Sequence, residues 1–321
     1  MRARILIPTM LAAALFAPAA GADGLPVVGV DVGPTGVTNP GVAHRYVALP
    51  SGKSTVVARV ERGTGEVRGF RTIPGRLTIP AVAYDGSSAG LSADGTTLVL
   101  LAPRSGFPRK TTTFALLDAE NLRERSRLTL RGDFSFDAMS PDARWLYLIQ
   151  YTSPDDPLQY SVRALDSQTG SLHPKPIVDP REPGEAMNGN PLTRAMSPDG
   201  RWAYTLYEGT EHPFIHALDT ANRSARCIDL DWLHGHKDLW GMRFVVSPNG
   251  GDLRVRSGEK TVALVDTQTW AAATGAERDD GWSPWVYVLL GGGVLLAVGA
   301  LAYRSTRRRA SSTSLGGATS T

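Results

Sequence analysis

Two short marks recur four times in the same order along this chain, and no other feature restricts its fold as strongly. The first is a Ser followed by a tight turn, at Leu91-Ser92-Ala93-Asp94-Gly95, Met139-Ser140-Pro141-Asp142-Ala143, Met196-Ser197-Pro198-Asp199-Gly200 and Val246-Ser247-Pro248-Asn249-Gly250. The second is an apolar run ending in Asp before a polar turn, at Leu117-Asp118, Leu165-Asp166, Leu218-Asp219 and Val265-Asp266. Pro presets φ at the second turn position, Asp or Asn suits the third, and Gly accepts the exit geometry. Each first mark therefore predicts a hairpin between two strands. The Ser-to-Ser separations are 48, 57 and 50 residues, and the Ser-to-Asp separations are 26, 26, 22 and 19.

A period near 50 residues with several short strands per unit predicts the blades of a β-propeller, since helical repeats have shorter periods and helical apolar spacing. A β-sandwich also strings short strands between turns, but the fixed order of two marks favours the propeller. In the third unit four strands are predicted, at 134–140, 144–151, 159–166 and 171–178. Trp145-Leu146-Tyr147-Leu148-Ile149 is almost continuously apolar, as expected of a strand covered on both faces. The fold class predicted is all-β, a propeller of about five four-stranded blades, with one C-terminal transmembrane helix.

Ser197-Pro198-Asp199-Gly200 and Leu165-Asp166-Ser167-Gln168-Thr169-Gly170 resemble the Ser-Pro-Asp-Gly and Leu-Asp-x-x-Thr-Gly turns of the TolB-type WD40-like propellers. The resemblance runs from about residue 80 to about 270 and rests on structural motifs. It implies the propeller fold and little about activity, because propellers host binding modules and enzymes alike.

Residues 1–22 have the organisation of a secretory signal: Arg2 and Arg4, a short apolar core, then Ala20-Gly21-Ala22. The exported domain is predicted over 23–270, its first blade degenerate, with strands at 45–49, 54–60 and 66–72. Pro26 to Asp31 is a further strand, which either opens that blade or crosses to the last one to close the ring. A linker follows at 271–284, then an uncharged stretch at 285–303. Its 19 residues approach the ~20 that cross a bilayer. Trp282, Trp285, Tyr287 and Tyr303 sit where aromatic belts form, and Arg304, Arg307, Arg308 and Arg309 place the tail in the cytoplasm by the positive-inside rule. The tail, 304–321, is Ser/Thr-rich and too poor in apolar residues to fold alone. Gly293 and Ala297 form a small-xxx-small step that allows weak dimerisation through the helix.

The formal charge of +3 suggests nucleic acid until it is located. The signal carries two Arg and the tail four, with no acid in either, so residues 23–303 carry about −3. An acidic exported domain has no reason to seek phosphate backbones. Cys227 is the only cysteine, so no intrachain disulfide forms and the fold rests on its core.

Few residues suggest chemistry. Gly86-Ser87-Ser88-Ala89-Gly90 fits G-x-S-x-G, but a nucleophile elbow needs a helix after the Ser, and here another turn follows. His234-Gly235-His236 puts two imidazoles two residues apart with Asp231 and Asp238 nearby; a metal would need more ligands, from His212 or Glu211. Asp155-Asp156 lies in an acidic turn without calcium-loop spacing. The sequence thus predicts no catalytic residue, no cofactor and no metal site. Blade connections alternate between two rims, and both repeated marks share one. The irregular connections share the other, at 103–110, 153–159, 172–190, 208–213 and 231–240. Variable loops on a rigid scaffold carry recognition. The predicted binding rim is His212, Trp232, His234, His236, Lys237 and Trp240. The expected role is a non-catalytic binding or sensing module facing a protein or cell-envelope partner. The alternatives are an exported propeller enzyme of glycoside hydrolase or lactonase type, which needs convergent carboxylates or a central metal, and a structural partner of an envelope complex.

Overall fold

A computed structural model describes residues 36–184 and 187–275. The expected signal, the 26–31 strand, the membrane span and the tail lie outside the described residues; within them no helix is long and apolar enough to cross a membrane.

The described residues form five antiparallel sheets in order, each a simple meander. The first holds β1 (His44–Ser51), β2 (Ser54–Glu61) and β3 (Val67–Pro74); the second holds β4 (Thr97–Leu101), β5 (Thr111–Asp118) and β6 (Glu124–Arg131). The third holds β7 (Phe134–Met139), β8 (Trp145–Tyr151) and β9 (Tyr160–Asp166). The fourth holds β10 (Pro191–Met196), β11 (Trp202–Tyr207), β12 (Phe214–Asp219) and β13 (Ser224–Asp229). The fifth holds β14 (Arg243–Val246), β15 (Asp252–Ser257), β16 (Lys260–Asp266) and β17 (Ala272–Thr274). Single bridges supply the missing fourth strands: Val37 to Tyr46 in the first sheet, Leu91 to Leu98 in the second, and Leu172 and Ile177 to β9 in the third. The strand expected at 171–178 is therefore present only as two bridges, because four residues from His173 to Ile177 oppose the two from Ala164 to Val162 and break the register.

Each sheet packs face to face on the next, which explains the continuous apolar runs. Along β4, Leu98 and Leu100 join Tyr46, Ala48 and Val57 of the first sheet, while Val99 and Leu101 join Phe134, Phe136 and Leu148 of the third. Alternate side chains leave a strand on opposite faces, so a strand between two neighbours must be apolar at every position. Tyr147, Ile149 and Val162 meet Ala203, Tyr207 and Leu218 between sheets three and four. Tyr204, Leu206 and Ile215 meet Leu253, Val255 and Val265 between sheets four and five. The sequential stacking of short meanders is the blade arrangement of a β-propeller. On the outer face of the first sheet the small cluster Val47, Ala58 and Val60 is edged by Phe70, which is 72% exposed.

The repeated marks are hydrogen-bonded devices. In all four copies the Ser hydroxyl donates to the turn Asp or Asn, as Ser140 to Asp142 at 2.6 Å and Ser247 to Asn249 at 2.7 Å. The same oxygen accepts the N–H five residues on, at 2.9 Å in Thr97 and Trp145 and 2.8 Å in Trp202 and Asp252. Gly95, Gly200 and Gly250 take positive φ at the exit, and so does Ala143, where the sequence departs from Gly. In the second mark the Asp carboxylate accepts the N–H groups two and three residues on, as Asp166 does from Gln168 and Thr169. The two marks meet: Arg144 and Arg201, just past their turns, bind Asp166 at 2.7 Å and Asp219 at 2.6 Å.

Candidate functional site

Of the expected rim residues, His212 lies on the connection from β11 to β12, whereas Trp232 and Trp240 lie on two single-turn 3-10 segments, Asp231–Leu233 and Leu239–Gly241, with His234, His236 and Lys237 between them. Leu233, Leu239 and Met242 plug this connection into the core between sheets four and five. The intervening side chains are thereby turned outward, with Trp232 40% and Trp240 49% exposed. Each indole N–H keeps a partner, Val262 O at 3.2 Å for Trp232 and Glu208 Oε1 at 3.3 Å for Trp240. His212 Nε2 is 3.0 Å from Asp229 and its Nδ1 is 3.7 Å from Asp231. His234 and Lys237 are exposed, and His236 accepts the Asp238 N–H at Nδ1, 3.2 Å away. The structure thus keeps the six on one irregular connection and its neighbour, but does not converge the imidazoles on one point.

The centre of the molecule holds something the sequence reading missed. Between Thr78 and Leu91, both bridged to β4, residues 79–89 fold into a hairpin closed by the Ala81–Ser88 bridge. Its tip crosses to the fourth sheet. Tyr84 N–H donates to Pro191 O at 2.9 Å and Asp85 N–H to Leu192 O at 3.1 Å. Thr193 Oγ1 donates to Asp85 Oδ2 at 2.7 Å, and Arg243 Nε lies 3.6 Å from it. Tyr84 packs on Trp240 with ring centroids 5.2 Å apart. Ala81, Val82 and Ala83 are buried, so the hairpin fills the space that the inner strands enclose. A cavity of about 70 Å³ remains beside the repeated turns, lined by Asn39, Leu91, Phe136, Met139, Met196 and Pro198 among others, with no carboxylate or imidazole in its wall. Ser88 belongs to the returning arm of the hairpin and donates its hydroxyl to Gly36 O at 2.9 Å. The Tyr84-Asp85-Gly86 turn was the available signal.

A row of polar side chains crosses the apolar interface of sheets three and four. Arg194, Thr205, His216 and Cys227 are cross-strand neighbours on β10 to β13. Facing them, Asp137 sits where the register of β7 shifts, a bulge that aims its carboxylate. Arg194 binds Asp137 through both its carbonyl (2.8 Å) and its carboxylate, and donates Nε to Thr205 at 2.7 Å. Asp137 Oδ2 and His216 Nε2 are buried without a partner among the described residues. Burial, more than the Arg194 charge, holds the His216 imidazole down to about 4, against the pull of Asp137 and Asp179. Nearby, Asp133 joins Arg104 at 2.6 Å and Arg109 at 3.0 Å. A charged residue inside the apolar runs Phe134-Ser135-Phe136-Asp137 and Pro191-Leu192-Thr193-Arg194 was the legible hint.

Asp179, Glu182 and Cys227 bring ligand atoms within 4.8 Å of one another. The Asp179 carboxylate is already taken by Arg181, at 2.6 Å, and by the Cys227 N–H, at 2.9 Å. Asp156 uses both carboxylate oxygens within its own turn, on Leu158 N–H and the Gln159 amide.

No family model and no curated protein matches this chain. Among solved structures it is similar to TolB from Acinetobacter baumannii, at 15% identity and TM-score 0.42, over 73% of this chain and 51% of that one. It is also similar to Kuenenia stuttgartiensis hydrazine synthase, at 15% identity and TM-score 0.36, over 74% and 81%. A third similarity is to the Dos1 propeller, at 11% identity and TM-score 0.40, over 74% and 56%. The chain thus spans about half the length of the Acinetobacter TolB. Likenesses this low carry no argument about activity, ligand or partner; the propeller reading stands on sheet order and packing.

Proposed function

We propose that this chain is a single-pass membrane protein whose extracytoplasmic propeller binds a protein or cell-envelope ligand through its irregular rim, without catalysis. The observation that carries the reading is the outward display of Trp232 and Trp240 on a connection whose leucines are locked into the core. Exposed indoles on a fixed base supply contact area at low entropic cost, as binding hot spots require. The membrane part of the proposal rests on the 285–303 stretch and the four Arg that follow. The buried carboxylates of Asp133 and Asp137 are each paired with an arginine, a structural use of charge.

The test is capture of envelope proteins and wall fragments by the immobilised full chain. Trp232→Ala with Trp240→Ala should abolish capture and leave the thermal melt nearly unchanged, since both indoles are about half exposed. Capture that survives with the fold intact sinks the rim assignment.

A further inference from the structure

An arrangement that the chain builds twice within itself is left one member short on the irregular rim. Arg144 binds Asp166, the last residue of β9, at 2.7 Å and stands over the Trp145 ring, 5.9 Å from its centroid. Arg201 repeats the pattern, bonded at 2.6 Å to Asp219, the last residue of β12, and 5.2 Å from the Trp202 centroid. In each case a carboxylate takes the guanidinium N–H groups while an indole lies against the cation.

Asp229-Leu230-Asp231-Trp232 brings carboxylates and an indole together without the arginine. Asp229 ends β13, and the burial of Leu230 and Leu233 turns the two residues between them outward. The Asp229 and Asp231 side chains are 52% and 78% exposed. Among the described residues no arginine or lysine pairs with either carboxylate; their ion-pair neighbour is His212, with Nε2 3.0 Å from Asp229 and Nδ1 3.7 Å from Asp231. A neutral imidazole carries one N–H and can serve only one of them. The arginines of this rim are committed elsewhere: Arg243 donates to Trp240 O and Met242 O, and Arg256 to Glu259. Val262 O holds the Trp232 N–H at 3.2 Å, so a partner meets ring surface there and no free donor.

On the reading of this rim as the binding face, we propose that its partner supplies the missing member: an arginine on an extended, basic polypeptide segment. The guanidinium pairs with Asp229 and Asp231 and lies against the Trp232 ring. Arginine suits the place better than lysine, because its planar, weakly hydrated head takes carboxylates on its N–H groups and an aromatic ring on its face at once. A glycan brings no cation, and one that bears carboxylates is repelled.

The probe is acetyl-Gly-Arg-Gly-amide, compared with the peptide in which citrulline, neutral and nearly the same shape, replaces arginine. The readout is the Trp232 indole N–H resonance of the full chain in detergent micelles, assigned by its loss in Trp232→Phe. The arginine peptide should shift it saturably. The citrulline peptide should bind about tenfold more weakly, the joint worth of an exposed ion pair and a cation–π contact. Asp229→Asn with Asp231→Asn should weaken arginine binding by about the same factor at an unchanged melt, and Asp231→Asn alone in the same direction. Glu120→Gln, at an exposed acid in a repeated turn, should leave it unchanged. The asparagine variants also enter the capture assay, so that the two readings fail separately. Capture that survives loss of both tryptophans sinks the rim. Capture lost with the tryptophans but undiminished in the double asparagine variant leaves the rim standing and overturns the arginine site. Equal binding of the citrulline peptide, full affinity in the folded asparagine variants, equal loss in Glu120→Gln, no saturable shift at Trp232, or a saturable shift with chitotetraose and none with the arginine peptide overturns it too.

Discussion

Acid should unfold this propeller through His216, and the size of the effect follows from burial. The imidazole is buried on β12 in the polar row that faces Asp137, and burial is the largest influence on it, holding its pKa at about 4 against 6.5 in the ordinary state. In the unfolded chain it takes up a proton as pH falls through 6.5, whereas in the folded chain it stays neutral until about 4. Between those values the unfolded state binds more protons, so stability falls as pH falls. At 1.36 kcal/mol per unit, the loss between pH 7 and pH 4.5 is about 2.5 kcal/mol, a factor of roughly 70 in the folded-to-unfolded ratio. His216→Gln keeps a neutral polar group and has no proton to gain. Urea unfolding of both proteins at pH 7 and 4.5 should show the wild type losing about 2.5 kcal/mol more than the variant. An NMR titration of the His216 ring gives the same quantity directly. Parallel losses in the two proteins, or a ring that titrates near 6.5, would refute the reasoning.

Two further substitutions read the turns and the buried pair. Gly200 has φ +71°, and an added Cβ would stand 2.4 Å from Ala93 Cβ, whereas Gly52 has φ +60° and open space around it. Gly52→Ala should cost about 1–2 kcal/mol for the left-handed backbone alone, and Gly200→Ala about 1–3 kcal/mol more for the collision; equal urea midpoints would contradict the close approach of these turns. Arg194→Met strands the Asp137 carboxylate among apolar side chains and should cost about 3–5 kcal/mol, most of it recovered by adding Asp137→Leu. A single variant as stable as the wild type would mean that the pair contributes no constraint.

The sheets were legible because their signals are local. Ser197, Asp199 and Gly200 are bonded within one turn, and Leu98 to Leu101 are apolar because two neighbouring sheets need them. Short-range chemistry of this kind is written next to the residues it shapes. The central hairpin was not legible, because its partners are about 110 to 160 residues away. Asp85 reads as a turn residue until Thr193 and Arg243 close on it, and Tyr84 until Trp240 does. The fourth strand of the third sheet was over-read, since nothing near Ile177 announces that Asp179 belongs to Cys227. The rim residues were named from their place in the chain, yet the exposure of Trp232 and Trp240 depends on Leu233 and Leu239 reaching the core, which no local pattern announces.

The hairpin also changes what the irregular rim can be. An open propeller offers a ligand a central hole, and catalytic groups on inner strands could then meet substrate there. Here the tip of the hairpin is bonded to the first residues of β10, at the end of the sheet that faces the irregular connections. Tyr84 and Trp240 pack across that position, with Glu208 and Arg243 beside them. A partner approaching from this side therefore meets an aromatic floor ringed by charge. Asp137 Oδ2 and His216 Nε2, without a partner among the described residues, lie buried in the interface of sheets three and four. On the proposed reading, recognition rests on the contact area of that floor, with Trp240 at its centre.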